Sequence, residues 1–507
     1  VHPFSGGRNS DIGRGYKQTY TPLQMNLFDY QKEAVIFAQE KRKIYIALDM
    51  GMGKTLTAIA SAVGTTRKNI LVVAELNEIQ NSQNFKKEVE NNFPKVQYQS
   101  LRESKAEELG LLVQTVYGIN PDSIDKIPAG IAETIGAVIM DEATLAKTTT
   151  TDRFKKVKAI CDRVDFVFLL SGTPMLNGAA EIYSPLLLLG HELAGKGDKK
   201  AQMAFEKIFA GGCYRQIRSI KGVSEAQLKT QWWKYYSWWA KGANNVRELR
   251  WLIRDRFFFK RKDQTNVFKK KDRHTVFIPW NTEWEAEYNQ AWDEYLESVN
   301  EYNLTAEKSE RKNIENIKDL QKLIENGKVY QVNSRWKAKK IVADIKAGLY
   351  EDHRIIIWTV YVETEKILQE ELTAADISFK TFEELPNWKE GTEKVLVGKI
   401  KSHAKGGNAY EASCSLFVDM DFVPTMNIQA ENRMDRPEQK RDMIVRYYMT
   451  KEETVDQHVQ KINRDKMRKI EEFLRPFTKE EEAEMPGKIA ELQKKFSTEF
   501  RILGLDF

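Results

Sequence analysis

Short, mostly apolar runs recur through the first part of the chain, each followed by a longer stretch with hydrophobic residues every three or four positions. The runs are 44–48, 70–73, 111–116, 137–140 and 166–170. Such runs fit strands buried on both faces, and the helical spacing between them fits crossover helices. The pattern therefore predicts a parallel sheet flanked by helices. A second series, 354–359, 394–397, 416–418 and 443–448, predicts another α/β unit of similar size.

The character changes between the two series. Residues 190–260 hold glycine-rich turns and then six large aromatics, Trp232, Trp233, Tyr235, Tyr236, Trp238 and Trp239. Residues 283–330 are charged, with Glu and Lys recurring at i, i+4 spacing. Both stretches are expected to be mostly helical insertions, and 452–500 to be helical again. The resulting plan is an N-terminal extension (1–22), a first α/β unit (23–190), a helical, aromatic and basic junction (191–275), a helical insertion (276–335), a second α/β unit (336–475) and a helical C-terminal tail (476–507).

Composition adds three constraints. A chain of 507 residues is too long for one hydrophobic core. No apolar run approaches the roughly 18 residues of a membrane span, so no membrane association is expected. Three scattered cysteines and six histidines without ligand spacing suggest neither a disulfide framework nor a zinc site, and point to a reducing, intracellular setting. The net charge of +6 is modest, yet Lys260, Arg261, Lys262, Lys269, Lys270, Lys271 and Arg273 crowd one stretch. That stretch reads equally as a solvated loop or as a segment for phosphate contact or nuclear targeting.

The clearest chemistry lies where run 44–48 enters Asp49-Met50-Gly51-Met52-Gly53-Lys54-Thr55 and a helical stretch. Glycines let backbone N–H groups approach phosphates, Lys54 reaches β/γ oxygens, and the Thr55 hydroxyl takes Mg²⁺ at a helix N-terminus. Gly51, Gly53, Lys54 and Thr55 are thus the expected ATP ligands. Run 137–140 ends in Asp141-Glu142, and adjacent carboxylates at a buried strand end are costly unless they meet a cation or catalyse. Asp141 is expected to hold Mg²⁺ and Glu142 to orient or deprotonate the attacking water. Ser171-Gly172-Thr173-Pro174 follows another buried run; its order after the phosphate elements favours a coupling motif over a plain turn. Arg433 and Arg436, three apart, are expected to share one helical face and to reach a phosphate bound on the other unit.

These elements in this order resemble superfamily 2 helicases, and within them the Swi/Snf-type DNA translocases. The most specific parts are Ser171-Gly172-Thr173-Pro174-Met175-Leu176-Asn177 with Glu181, and Asp419-Met420-Asp421-Phe422-Val423-Pro424 leading to Gln429, Arg433, Arg436 and Gln439. The resemblance spans roughly residues 23–475 and implies two tandem RecA-like domains, with ATP and Mg²⁺ as cofactors and double-stranded DNA as the partner. It implies base recognition by Gln31 and catalysis by Lys54, Glu142, Arg433 and Arg436. For coupling or DNA contact it points to Ser171, Thr173, Arg261, Lys262, Gly406, Asn408 and Gln429.

The departures from the family pattern are Leu48 at the first glycine of the phosphate loop, Glu75 at a usual proline, Thr144 at a usual histidine, only Gly406 and Asn408 retained from a glycine-rich stretch, and Glu438 at a usual glycine. The chain has no room for chromatin-reading domains, which favours a prokaryotic or viral origin and leaves a nuclear setting open. The rival readings are a strand-separating helicase and a nucleotide-switched scaffold. The aromatic cluster 232–239 reads as core packing, a protein-partner surface or a stacking platform for bases.

Overall fold

The computed structural model describes residues 26–505 except 81–83, 102–112, 176, 217–223, 225–230, 232–233, 306–327, 405–406 and 451–453. The expected N-terminal extension, Trp232, Trp233, Gly406 and part of run 111–116 lie outside the described residues. In chain order the strands are β1 (Lys43–Leu48), β2 (Asn69–Val73), β3 (Gln97–Ser100), β4 (Thr115–Ile119), β5 (Ile135–Met140), β6 (Phe166–Leu170), β7 (Cys213–Gln216), β8 (Tyr236–Trp239), β9 (Phe257–Lys260), β10 (Lys271–Ile278), β11 (Ile355–Thr359), β12 (Phe379–Thr381), β13 (Val395–Lys399), β14 (Cys414–Phe417) and β15 (Met443–Thr450).

Two all-parallel sheets form, as the apolar runs predict. The first has the order β3-β4-β2-β5-β6-β1-β9 and the second β10-β15-β14-β11-β13-β12. Burial on both faces explains why the central strands carry no polar alternation. In β1, Ile44, Ile46 and Leu48 enter a core with Ala58, Ile59 and Ala62 of helix Lys54–Thr65. Tyr45 and Ala47 point to the opposite core, with Leu186 and Phe205. The second sheet is likewise covered on both faces, Ile355 and Ile357 on one side and Ile356 and Trp358 on the other.

The junction departs from the helical expectation. Phe257–Lys260 pairs in parallel with β1 and becomes the edge of the first sheet. Lys271–Ile278 pairs with β15 along its whole length and becomes the edge of the second. Within the aromatic cluster, Tyr236–Trp239 is a strand, antiparallel to β7, and not a helix. The physical reason is shared: β-favouring aromatic and β-branched residues sit among charges that an edge strand tolerates on its open side.

The tail is helical, as expected, and returns to the first sheet. Helix Val455–Leu474 ends on two arginines of helix Val246–Leu252. Arg247 donates to the carbonyls of Glu472, Arg475 and Pro476 at 3.1, 2.8 and 3.2 Å, and Arg250 donates to that of Phe473 at 2.7 Å. Carbonyls left over at a helix C-terminus are thereby satisfied. Phe473, Leu492, Phe500 and Leu503 then pack into the core beside Phe205 and Phe209.

Candidate active site

The phosphate loop leaves β1 and enters helix Lys54–Thr65 through two glycines in left-handed backbone, Gly51 at φ +86° and Gly53 at φ +71°. Only glycine takes these angles without strain. A Cβ on Gly53 would also stand 2.5 Å from Nε2 of Gln31. Gln31 is buried behind the loop; its Nε2 donates to the Met52 carbonyl at 3.2 Å, and its Oε1 accepts the Phe28 N–H at 2.9 Å. The amide thus ties the loop to the start of its own helix, Asp29–Lys41, a role that the base-reading expectation did not include.

Lys54 folds back over the loop and donates to the carbonyls of Leu48 and Asp49 at 3.1 and 3.4 Å. Burial lowers its ammonium pKa, while the charges of Glu142 and Asp141 oppose that. Asp141 ends β5, and burial, followed by the Glu142 charge, raises its carboxyl to about 7. A carboxylate so short of compensating charge is suited to a cation. Among the described residues no cluster of three or more His, Cys, Asp or Glu could hold a metal. Thr55 and Asp141 suit Mg²⁺ nonetheless, because that ion usually takes one or two protein ligands plus phosphate oxygens and water.

Glu142 has φ +50°, a left-handed conformation that a non-glycine residue keeps only when its surroundings impose it. Its carboxylate accepts the Ser171 hydroxyl at 3.1 Å, and the same Oγ accepts the Thr173 N–H at 3.1 Å. Gly172 lets this turn approach the loop: a Cβ there would be 3.0 Å from Met50 Cγ and 3.4 Å from Lys54 Nζ. Beyond the turn, Asn177 binds Glu181 through its backbone N–H and its side-chain amide, at 3.0 and 2.9 Å.

The second sheet contributes the opposite wall. Helix Pro424–Glu431 stops before the arginines, so Arg433 and Arg436 stand in a turn and not on a shared helical face. Gln439 makes the turn: its Nε2 donates to the carbonyls of Ala412, Tyr410 and Met434 at 2.7, 3.0 and 3.2 Å. The turn still delivers both arginines to the phosphate loop's cleft. A Cβ on Gly51 would lie 2.9 Å from the Asp435 carbonyl oxygen and 3.2 Å from Arg436 Nη1. Arg433 is buried beside it, and burial, with the Arg436 charge, brings its guanidinium down to about 9.

One cleft of about 690 Å³ therefore brings together Gly51, Gly53, Lys54, Thr55, Asp141 and Glu142 with Asn408, Gln429, Arg433 and Arg436. Glu75, read from sequence at a DNA-contact position, lines this same cleft. Arg261 and Lys262 are placed otherwise than expected. Arg261 is ion-paired with Glu471, and Lys262 with Asp435. Lys260 pairs with Glu33, Lys271 with Glu431 and Asp435, and Arg273 with Glu431, so the basic run is mostly neutralised within the chain. Lys269 and Lys270 are exposed. Sequence reasoning reads Gln439 only as a motif position and passes over Asp435, although Asp435 stands between Arg433 and Arg436.

The model of the SNF2-related domain matches residues 30–334. The chain belongs to the SNF2-related family. Among curated relatives, this SNF2-related chain is 23% identical over 456 residues to a Caenorhabditis elegans "SWI/SNF-related matrix-associated actin-dependent regulator of chromatin subfamily A-like protein 1 homolog", covering 85% of the chain and 59% of that protein. A Drosophila melanogaster counterpart is 22% identical over 448 residues, covering 84% and 53%. The chain thus spans a little over half the length of these relatives. A solved Sulfolobus solfataricus SWI2/SNF2 ATPase core in complex with dsDNA aligns over 96% of the chain and 98% of that structure, at 17% identity and a TM-score of 0.39. The two relatives are animal proteins and lend no support to the expected prokaryotic or viral origin. Among the described residues no helix is long and apolar enough to cross a membrane.

Proposed function

We propose that this chain hydrolyses ATP and uses the cycle to move along double-stranded DNA. The observation that carries the reading is the placement of Arg436 against Gly51, in one cleft with Lys54, Asp141 and Glu142. Lys54 neutralises phosphate oxygens there, and Thr55 with Asp141 would hold Mg²⁺, which would draw charge off the phosphates. Glu142, oriented by Ser171, takes a proton from the attacking water. Arg436, with Arg433, stabilises the charge that develops on the transferring phosphoryl group. Both sheets contribute to the site, so hydrolysis is tied to how closely the two units approach.

Family membership and the relatives' names as regulators of chromatin support DNA as the track. Ser171 and Thr173 join Glu142 to the turn beyond β6 and are the proposed coupling residues. Asn408 and Gln429 line the nucleotide cleft, so we assign them to coupling as well; Gly406 keeps its proposed role in DNA contact. In the domain plan β9 is added to the ATP-binding unit 23–190 and β10 to the unit 336–475. The described aromatics of 232–239 favour internal packing over base stacking: Trp238 donates to Glu206 at 2.5 Å, and the Arg215 guanidinium covers the Trp239 ring at 3.4 Å. A protein partner on this ribbon remains a proposal, as does an intracellular location on DNA. The test is ATP turnover measured with no nucleic acid, single strands, duplex and forked DNA. We expect duplex to stimulate at least about tenfold, with steep loss at higher salt. Stimulation by single strands alone would favour the helicase reading.

A further inference from the structure

Strand β9 closes the first sheet and β10 opens the second, so residues 261–270 form a crossing between the units. Lys262 stands in that crossing with its two ends on opposite walls of the cleft. Its backbone N–H donates to Asp49 Oδ2 at 3.0 Å, at the start of the phosphate loop. Its Nζ reaches the Asp435 carbonyl at 2.8 Å, Asp435 Oδ2 at 2.9 Å and Asn432 Oδ1 at 2.9 Å. An ammonium has three donors, and these three acceptors use them all, leaving none for a nucleic-acid phosphate. The side chain is only 13% exposed, and the Phe268 ring covers it at 4.8 Å. The carbonyl that Lys262 holds is also the atom that a Cβ on Gly51 would meet first, and the next residue is Arg436.

We propose that Lys262 is a positioning residue that latches the 432–436 turn to the phosphate loop and so sets Arg436 for the reaction. The kinetic consequence rests on the proposed hydrolysis; the latch itself does not. Lys271 also binds Asp435 Oδ2, at 2.8 Å, so loss of Lys262 frees the carbonyl without stripping the carboxylate of its last cation. Arginine would keep the charge, yet its planar fork does not converge three donors on this turn. A DNA-phosphate contact at this position would tolerate arginine; a latch would not.

The test uses the full chain in five forms: wild type, Lys262→Met, Lys262→Arg, Arg436→Ala, and Lys262→Met with Arg436→Ala. Amide exchange without nucleotide should rise at least about tenfold across 432–439 in Lys262→Met, while β11 exchanges as in wild type. Turnover should fall at least about tenfold in kcat with less than about a threefold change in KM, in both Lys262 variants. Adding Arg436→Ala should bring little loss beyond that of Arg436→Ala alone, since the two act as one unit. Unchanged exchange in the turn would overturn the latch. So would full turnover in Lys262→Arg, or losses that multiply in the double variant. A wild type that does not hydrolyse ATP would defeat the proposed function, and the exchange data would still decide the latch.

Discussion

Glu142 combines a left-handed backbone with a carboxylate held by the Ser171 hydroxyl, and such local strain persists where the surroundings over-determine it. Replacing it with glutamine keeps the shape and removes the base. We expect Glu142→Gln to bind ATP and Mg²⁺ about as wild type does and to hydrolyse at least about 100-fold more slowly, the range seen for loss of a general base. Nucleotide binding and single-turnover hydrolysis check this; fast hydrolysis would move the role to another acid. Arg436→Ala should lower the maximal rate by about 10³-fold or more, as loss of an arginine that stabilises transferring phosphate does, with a smaller effect on ATP affinity. A variant that loses affinity and keeps its rate would assign Arg436 to substrate binding instead. Lys54, Thr55, Asp141 and Glu142 were legible in sequence because each ends or follows a short apolar run. The part played by Asp435 was not, because it depends on the phosphate loop meeting a turn far along the chain.

At the scale of elements, charge concealed a strand. β10 begins Lys271-Asp272-Arg273-His274 and turns apolar only near its end, so its pattern reads as a basic loop. It forms because β15 pairs with it from Met443 to Thr450 and because its cations meet Glu431. That carboxylate is buried and accepts Arg273 Nε at 2.9 Å, Lys271 Nζ at 3.2 Å and the Tyr447 hydroxyl at 2.7 Å. Burial pushes its pKa up, but Lys271 and Arg273 outweigh that and bring it down to about 2. A folded pKa below the unfolded value, about 4.3 for glutamate, stabilises fully above that value and is lost as pH falls toward the folded one. We therefore expect Glu431→Gln to cost about 3 kcal/mol at neutral pH, the low end for breaking a buried ion pair, since Arg273 is half exposed. The gap in melting temperature between variant and wild type should hold from pH 7 to about 5 and narrow from there toward pH 2. A gap that stays constant down to pH 2 would show that the ion pair is not its source.

On the scale of the whole molecule, the two parallel sheets and the order of their motifs could be read from the chain, since their central strands are local apolar runs. The return of the C-terminal helices onto the first unit could not. It rests on contacts such as Lys207 with Glu499 at 2.5 Å and the Arg247 cap on helix Val455–Leu474, which leave no local signature. The tail thus ties the end of the second unit to the face of the first, while the Lys262 crossing ties them at the cleft. In the proposed motor these two attachments would hold the units together while one moves against the other. The most direct measurement of the proposed movement along DNA is displacement of a third strand from a DNA triplex, run beside unwinding of a forked duplex with the same protein. Movement along duplex predicts ATP-dependent displacement of the third strand, no separation of the fork, and neither activity in Glu142→Gln. Efficient fork unwinding with the triplex left intact would contradict it.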